Sequence, residues 1–409
     1  MSSKNVDFFK KKNIWSTVKD DLLECYLVPY FSKIMATGKP TVYIDCFAGA
    51  GIFEDDTPGS PLIALNCLDK AMSGKRNVRN PKVYMKFIEL HHVEELINNI
   101  PPNHRSKCQV IKGRYENHIK GILNHLKESG QSINLFLYID PYGIKHLNAE
   151  LFDWAAHIFN SAELLINFNS LGFFRNACRL NNTEVREKDI TEGLEEYDRS
   201  IVKTTRVLEN IAGGDYWHGI IEKYKNKLID GYQAEKEISR LYKERLGKHY
   251  KYVLDMPIRL AVGQHPKYRM VHATNHPHGC VLMADNIAKR TDRLVVDIQE
   301  GGQLSLVPQT VENEFLCDET LTNYLKRFLQ TKTEYTEITD FLAEFYNKHG
   351  VICNVSRITT GNNSILKRLY KEDYIEVRRL NKKTKKLDDK SKVWNSNAKI
   401  AFEVRIKRE

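Results

Sequence analysis

The sequence predicts an α/β protein whose mostly parallel β-sheet is covered by helices, followed by a smaller winged helix-turn-helix. Three observations predict this arrangement. Between about residues 41 and 169, near-continuous apolar strands alternate with helical patterns, as in parallel sheets buried on both faces. Residues 171–249 are charged and helix-periodic, which indicates a helical insertion. The C-terminal end contains three short helical segments and then a β-hairpin, the order of a winged helix-turn-helix.

Length and composition set the broad class of protein. A chain of 409 residues exceeds one ordinary hydrophobic core, so we expect two domains, residues 1–310 and 315–409. Hydrophobic residues make up 42% and charged residues 28%, as in soluble globular proteins. No apolar run approaches the roughly 18 residues of a membrane span, and the N-terminus has no apolar signal core. The eight scattered cysteines include no C-x-x-C pair, so we expect reduced thiols, no metal site and a cytoplasmic protein.

The elements of the α/β part are predicted in order from the hydrophobic periodicity. An amphipathic helix over residues 15–35 comes first. It is followed by strand 41–47, helix 59–72, strands 82–90 and 108–113, helix 116–128, strand 133–140, helix 149–159, strand 163–169, the insertion, strands 250–260 and 268–275, helix 279–290 and a connector at 297–310. We expect Ser60 to be the N-cap of the second helix, with Pro61 at its first position.

The stretch "TVYIDCFAGAGIFEDDTPGSPLIAL", residues 41–65, predicts a ligand site. The strand ends on Asp45 and opens into Gly49 and Gly51, which lack Cβ atoms and let the chain turn close to a ligand. An acid followed by F-A-G-x-G is typical of S-adenosylmethionine sites, and the third glycine of the dinucleotide fingerprint is missing. The next strand ends on Glu89, a carboxylate that can accept hydrogen bonds from ribose hydroxyls. The candidate cofactor-binding residues are Asp45, Phe47, Ala48, Gly49, Gly51, Ser60, Glu89 and Leu90. The alternative is that Asp45 caps the loop and Glu89 is merely exposed.

The tetrapeptide Asp140-Pro141-Tyr142-Gly143 closes the most apolar strand and predicts a site for a base amine. A carboxylate and a proline carbonyl can accept hydrogen bonds from an exocyclic amine, and an adjacent aromatic ring can stack on an unstacked base. Methyl transfer mainly requires placing the amine in line with the sulfonium methyl, so we predict Asp140, Pro141 and Tyr142 as catalytic residues. The usual amino-methyltransferase form is Asp-Pro-Pro-Tyr. The missing second proline leaves open a simple strand-ending turn with a buried tyrosine.

The C-terminal segment is strongly basic. Residues 371–409 contain 13 Lys and Arg against 7 Asp and Glu, in a chain of net charge +10. Such a concentration of charge predicts a polyanion partner, most simply nucleic acid, with DNA as the expected form. The candidate nucleic-acid contacts are Asn362, Asn363, Ser364, Lys367 and Arg368 at the start and exposed face of the third helix, and Lys382, Lys383, Lys385 and Lys386 in the wing turn. A protein-docking winged helix with a solvated wing is the alternative.

Together these motifs resemble the three-Cys-motif partner proteins. The similarity is carried by Lys19 and Tyr26, "YIDCFAGAG" (43–51), "GSPLIAL" (59–65), "FIEL" (87–90), "YIDPYG" (138–143), residues 268–290 and the winged-helix tail. The resemblance implies a class I methyltransferase-like, Rossmann-like fold and an S-adenosylmethionine pocket built on Asp45, Gly49, Gly51 and Glu89. It also implies association with a radical S-adenosylmethionine protein that bears three cysteines. It does not supply a substrate.

We therefore expect an S-adenosylmethionine-dependent methyltransferase that acts on nucleic acid at a base amine. One alternative is another base-modifying transferase that works with the radical partner. The other is a non-catalytic adaptor that binds DNA and its partner protein. Intact acids at both strand ends favour an enzyme, whereas the missing second proline favours the alternatives. The absence of a G-x-S-x-G elbow and of a phosphate-binding loop motif leaves a hydrolase or P-loop enzyme without support.

Overall fold

The computed structural model describes residues 14–74, 82–186, 189, 201–259, 266–301, 316–388 and 390–407. The chain forms two compact units, the first made of Met1–Asn275 with Asp297–Gln303 and the second of His276–Val296 with Leu304–Glu409. The predicted domain boundary at 310–315 lies outside the described residues. Within the described parts of the chain, no helix combines the length and the apolar character that a membrane span requires.

The first unit is built on one seven-stranded sheet. Its strands are β1 Thr41–Asp45, β2 Val83–Glu89, β3 Cys108–Lys112, β4 Asn134–Ile139, β5 Ser161–Phe168, β6 Tyr252–Ile258 and β7 Tyr268–Thr274. Their order across the sheet is β3-β2-β1-β4-β5-β7-β6. The first five strands are mutually parallel, and β7 runs antiparallel to both β5 and β6. The predicted mostly parallel, Rossmann-like α/β sheet is therefore confirmed.

The helices of the first unit cover a central sheet that is apolar on both faces. They are α1 Ile14–Ile34, α2 Ser60–Ser73, α3 Val93–Asn99, α4 Tyr115–Glu128, α5 Ala149–Ile158, α6 Ser170–Leu180, α7 Thr205–Ala212, α8 Trp217–Lys225 and α9 Gly231–Leu246. Every residue of β1, β4 and β5 is buried. On one face, Tyr30 of α1 packs its ring 5.1 Å from that of Phe136, which stacks on Tyr43. On the other face, Ile44 and Leu137 belong to the core that includes α4 and α5.

The predicted helical insertion corresponds to α6, α7, α8 and α9. Residues 187–188 and 190–200 of that insertion lie outside the described part of the chain. Trp217 of α8 and Tyr242 of α9 are buried in the same core as the sheet, so the insertion is packed onto it. Helix α3, which follows β2 directly, was not predicted because its seven residues are too few to establish a helical period.

Among its described residues, the second unit contains four whole helices, a small antiparallel sheet and the part of a fifth helix that precedes Asp297. The helices are α10 Pro277–Gly301, α11 Asp318–Leu329, α12 Ile338–His349, α13 Val355–Ile358 and α14 Ile365–Lys371; the strands are β8 Thr336–Glu337, β9 Ile375–Asn381 and β10 Ile400–Ile406. The sheet order is β8-β10-β9. Helix α10 is longer than predicted and takes up the first part of the predicted connector at 297–310, whose remainder lies outside the described residues.

Candidate cofactor and substrate site

The first backbone amides of the loop after β1 donate hydrogen bonds to other groups of the protein. The amides of Cys46, Phe47, Ala48 and Gly49 donate, in that order, to Tyr138 O (3.0 Å), Asp45 Oδ1 (3.2 Å), Ile88 O (3.1 Å) and Glu89 Oε2 (2.8 Å). A dinucleotide pyrophosphate would need such amides as free donors. These four consecutive positions therefore suit a ligand without phosphate better than a dinucleotide.

Asp45 links the end of β1 to the start of α2 and is fully buried. Its Oδ2 accepts a hydrogen bond from Ser60 Oγ at 2.6 Å. Burial raises the pKa of the Asp45 carboxyl to about 7, against the opposing hydrogen bonds from Ser60 and Phe47. The prediction that Ser60 is the N-cap is wrong, because Gly59 occupies that position and the Ser60 hydroxyl is held by Asp45. Asp45 thus shapes the loop rather than presenting its carboxylate at the surface.

Glu89 is the second acid that holds the loop. Besides Gly49, its carboxylate accepts hydrogen bonds on Oε1 from the amides of His91 (2.7 Å) and His92 (3.1 Å). Three of its roughly four acceptor positions are therefore filled, which leaves about one for a ligand hydroxyl. Leu90, the next residue, is exposed.

Gly51 lies where the loop packs against helix α3. Its φ is +83°, and a Cβ there would lie 2.9 Å from Leu96 Cδ1. Gly49 also has a positive φ, +65°. The Gly51 carbonyl accepts a hydrogen bond from the amide of Gly59 at 2.8 Å, so the turn and the start of α2 are tied together. Glycine at position 51 is thus required by both its conformation and its packing.

We expect Gly51→Ala to destabilise the protein by about 2 kcal/mol, since it adds backbone strain and a close contact with Leu96. Gly130→Ala is the matched control, because Gly130 has φ +66° but no atom within 4 Å of the position that an added Cβ would occupy. The control should cost about 1 kcal/mol from conformation alone. Urea unfolding measures both values, and equal losses would show that packing at Gly51 is unimportant.

Asp140, at the end of β4, accepts hydrogen bonds from three side chains. Lys19 Nζ of α1 lies 2.9 Å from Oδ1 and 2.6 Å from Oδ2. Asn167 Nδ2 donates to Oδ1 at 2.6 Å, and the Tyr138 hydroxyl donates to Oδ2 at 3.3 Å. A carboxylate offers about four acceptor positions, so those of Asp140 are filled. A target amine would have to displace one donor, and the long bond from Tyr138 is the weakest of them.

Asn167, at the end of β5, offers an acceptor next to Asp140. Its side chain is buried, and its Oδ1 has no hydrogen-bond partner among the residues that the structure describes. Because Nδ2 donates to Asp140, the orientation of the amide is fixed by that contact. A buried acceptor without a partner is costly, so a donor from a ligand or from water would be favourable here. The nearby Asn169 has a different role, since its side chain accepts from the amide of Gly172 and caps α6.

The residues that follow Asp140 differ in exposure. Pro141 is buried, whereas the side chain of Tyr142 is 54% exposed. Gly143 has φ +87°, a conformation that favours glycine. The expectation of a buried tyrosine in this turn is therefore wrong. Tyr142 presents an aromatic ring beside the end of β4, where ligands of parallel sheets bind.

Sequence reasoning did not assign a role to Lys19. The residue is separated from Asp140 by 121 positions, and no local pattern connects the two. The one signal in the sequence was a lysine beside the apolar positions of the first helix, because a cation that becomes buried, as Lys19 is, needs a partner. His272 is buried in β7 with Nε2 3.3 Å from Glu163 Oε2. Among the described residues, no group of three or more His, Cys, Asp or Glu side chains could hold a metal ion.

The candidate residues at α14 have several internal partners. Asn362 and Asn363 are exposed, as predicted. Ser364 is buried and its hydroxyl donates to Thr359 O at 2.7 Å, so its predicted place on the exposed face is wrong. Lys367 Nζ donates to the carbonyls of Thr360 (3.2 Å) and Gly361 (2.9 Å). Arg368 lies 3.6 Å from Asp318 Oδ2. Only the two asparagines are thus fully presented to a partner.

The connection between β9 and β10, residues 382–399, carries most of the exposed positive charge of the candidate interface. Lys383, Lys385 and Lys386 are exposed, as predicted. Lys382 is half-buried and lies 3.4 Å from Glu337 Oε1. Surface cations of this kind can contact phosphates without reading bases.

Comparison with known proteins does not add to this site. A scan against protein-family models finds no family that matches the chain, and a search of curated proteins finds no significant match. The function is therefore inferred from the site itself.

Proposed function

We propose that the protein is an S-adenosylmethionine-dependent methyltransferase that acts on a base amine of nucleic acid. The observation that carries this proposal is the pair of acids, Asp45 and Glu89, at the ends of adjacent parallel strands and bonded to one glycine loop. Adenosylmethionine has no phosphate, so it suits a loop whose first amides are already used, and the remaining acceptor position of Glu89 could take one of its ribose hydroxyls. Phe47, Gly49 and Ser60 are half-buried around that loop and would line the pocket.

The topology supports a class I methyltransferase-like fold. In such folds an antiparallel seventh strand lies between the fifth and the sixth, and β7 has this position here. In open parallel sheets, ligands bind beyond the carboxyl ends of the strands where the strand order reverses, which is between β1 and β4 in this sheet. Asp45 and Asp140 end these two strands. The motif resemblance to three-Cys-motif partner proteins points to the same fold.

The second unit supports a nucleic-acid substrate. Its order of helix α11, strand β8, helices α12, α13 and α14, and hairpin β9–β10, with β8 paired to β10, is typical of a winged helix. The winged helix would carry exposed Asn362 and Asn363 in the turn before α14, rather than on the helix as predicted, and exposed lysines in its wing. Together these groups could contact base edges and phosphates of DNA.

At the substrate end of the site, Asn167 Oδ1 and the Asp140 carboxylate would accept hydrogen bonds from the target amine. Tyr142 would stack on the extruded base, and Pro141 would hold the turn between them. Methyl transfer breaks the bond from sulfur to the methyl carbon and forms the nitrogen–carbon bond. The electrons of the broken bond stay on sulfur, the methylated nitrogen releases its proton to water, and these residues contribute mainly orientation.

One observation favours a second candidate function. The acceptor positions of Asp140 are filled by Lys19, Asn167 and Tyr138, which is what a purely structural carboxylate would show. The protein would then be an adaptor that binds nucleic acid and a radical S-adenosylmethionine partner, or a transferase that completes its site with that partner. An adaptor would bind nucleic acid but not S-adenosylhomocysteine.

Thermal unfolding with S-adenosylhomocysteine tests the proposal. Ligand at a hundred times its dissociation constant should stabilise the parent protein by about 2.7 kcal/mol, a shift of several degrees. Glu89→Gln should lose most of this shift, because it removes the charged acceptor at the loop. Glu94→Gln makes the same change at an exposed position on α3 and should keep the shift. No shift in the parent would contradict the cofactor assignment and favour the adaptor.

A further inference from the structure

Tyr370 and Trp394 form an aromatic surface in the second unit that the proposed function does not use. Tyr370 lies in the last turn of α14 and is 48% exposed. Trp394 lies in the β9–β10 connection and is half-buried. Their ring centroids are 5.7 Å apart with planes at 72°. The tyrosine ring therefore rests on the tryptophan and keeps about half of its surface accessible.

Trp394 is held firmly beneath this surface. Its ring packs 5.4 Å from the buried Phe402. The Arg379 guanidinium lies 5.6 Å from the centre of the indole ring, and Arg379 Nε donates to the carbonyl of Val393 at 2.9 Å. A supported aromatic ring loses little conformational freedom when a ligand packs on it. Tyr370 is thus an accessible aromatic side chain that packs on a well-supported ring.

Exposed positive charge belongs to the same segment of the chain. Residues 382–399 include seven lysines and two aspartates. Six of these lysines are exposed, and none forms a salt bridge with another residue that the structure describes: Lys383, Lys385, Lys386, Lys390, Lys392 and Lys399. Lys371, also exposed, follows Tyr370 directly. Exposed lysines in the segment that carries Trp394, and directly after Tyr370, complement a polyanion that carries flat rings.

We infer that Tyr370 stacks on an unpaired nucleobase and that this surface binds single-stranded nucleic acid. Single-strand binding proteins combine cations that follow the backbone with aromatic rings on which bases stack. Bases inside a duplex offer no free face to such a ring, so the exposed phenol favours unpaired bases over a double helix. The inference deepens the nucleic-acid part of the proposed function, and it does not depend on the cofactor.

Fluorescence anisotropy of the full chain with a labelled oligothymidylate of about 15 nucleotides tests the inference. The same backbone with abasic sites and the matching duplex are measured alongside. Tyr370→Leu should weaken binding of the oligothymidylate roughly 5- to 150-fold and remove its advantage over the abasic strand. Tyr370→Phe should retain that advantage. Tyr324→Leu, a change of another partly exposed tyrosine in the same unit, should have no effect.

Salt titration separates stacking from charge. Tyr370→Leu should leave the dependence of affinity on salt unchanged, whereas Lys385→Gln combined with Lys386→Gln should reduce its slope. The inference would be overturned if Tyr370→Leu weakened binding of the abasic strand as much as binding of the oligothymidylate. It would also be overturned if the parent protein bound the duplex more tightly than the single strand. Absence of any nucleic-acid binding would overturn it too and would assign the surface to a protein. A failure of the methyltransferase proposal would instead appear as a missing thermal shift with S-adenosylhomocysteine, while the stacking result stood.

Discussion

Asp140→Ala is expected to reduce methyl transfer roughly 100-fold or more while leaving the thermal shift with S-adenosylhomocysteine intact. The carboxylate follows β4 and accepts hydrogen bonds from Lys19, Asn167 and Tyr138. Its loss would remove one acceptor for the target amine and the contact that orients the other acceptor, Asn167 Oδ1. The measurement is transfer of a labelled methyl group from the cofactor to nucleic acid. Equal loss of transfer and of the thermal shift would place Asp140 in the cofactor pocket or in the fold.

The same variant also changes stability, so a control is needed. Asp140→Ala leaves Lys19 without its counter-ion in a largely buried position, at a cost of about 3 kcal/mol. Combining it with Lys19→Met should restore most of the stability but none of the activity. Asp153→Ala removes the partner of Arg245 in a similarly buried ion pair between α5 and α9. It should cost comparable stability and preserve methyl transfer.

Asp45→Asn is expected to stabilise the protein above about pH 7, by up to about 4 kcal/mol. The folded-state pKa of about 7 lies above the unfolded value of 3.8, so the folded protein binds this proton more tightly. The parent therefore loses stability as the pH rises from about 4 to about 7, and the loss is complete above that range. Asparagine keeps the shape of the side chain and can still bond to Phe47 and Ser60 without carrying a buried charge. Urea unfolding at about pH 5 and about pH 8 measures the difference.

Asp255→Asn is the matched control for that experiment. Asp255 is also buried, and burial alone would raise its pKa, but Lys243 and Arg269 outweigh burial and hold the pKa well below its usual range. Its carboxylate therefore contributes stability at neutral pH that is lost as the pH falls through its folded pKa. Asp255→Asn should destabilise the protein at about pH 8. If the free energy of unfolding changes between about pH 5 and about pH 8 by the same amount in Asp45→Asn as in the parent, Asp45 is not a buried titrating group.

The strands and most helices could be predicted because their signals are local. The runs that became β1, β4 and β5 are mostly apolar and are buried at every position, which is typical of strands covered on both faces. Asp45, Glu89 and Asp140 could be placed at one edge of the sheet because parallel strands share their carboxyl ends. The short helices α3 and α13 were not predicted, because they contain too few residues to show a helical repeat of apolar positions.

The sequence by itself determined the alternation of strands and helices, the glycine turn after β1 and the acids that end the strands. Only the tertiary structure decided which hydrogen-bonding positions of those acids remain available. Lys19 reaches Asp140 across 121 residues, Ser60 turns its hydroxyl to Asp45, and Ser364 is buried where an exposed reader was predicted. The Tyr370 ring is supported because Trp394, 24 residues later in the β9–β10 connection, packs against it. Periodicity reports on neighbours along the chain, whereas the partners of a polar group are set by packing between distant segments.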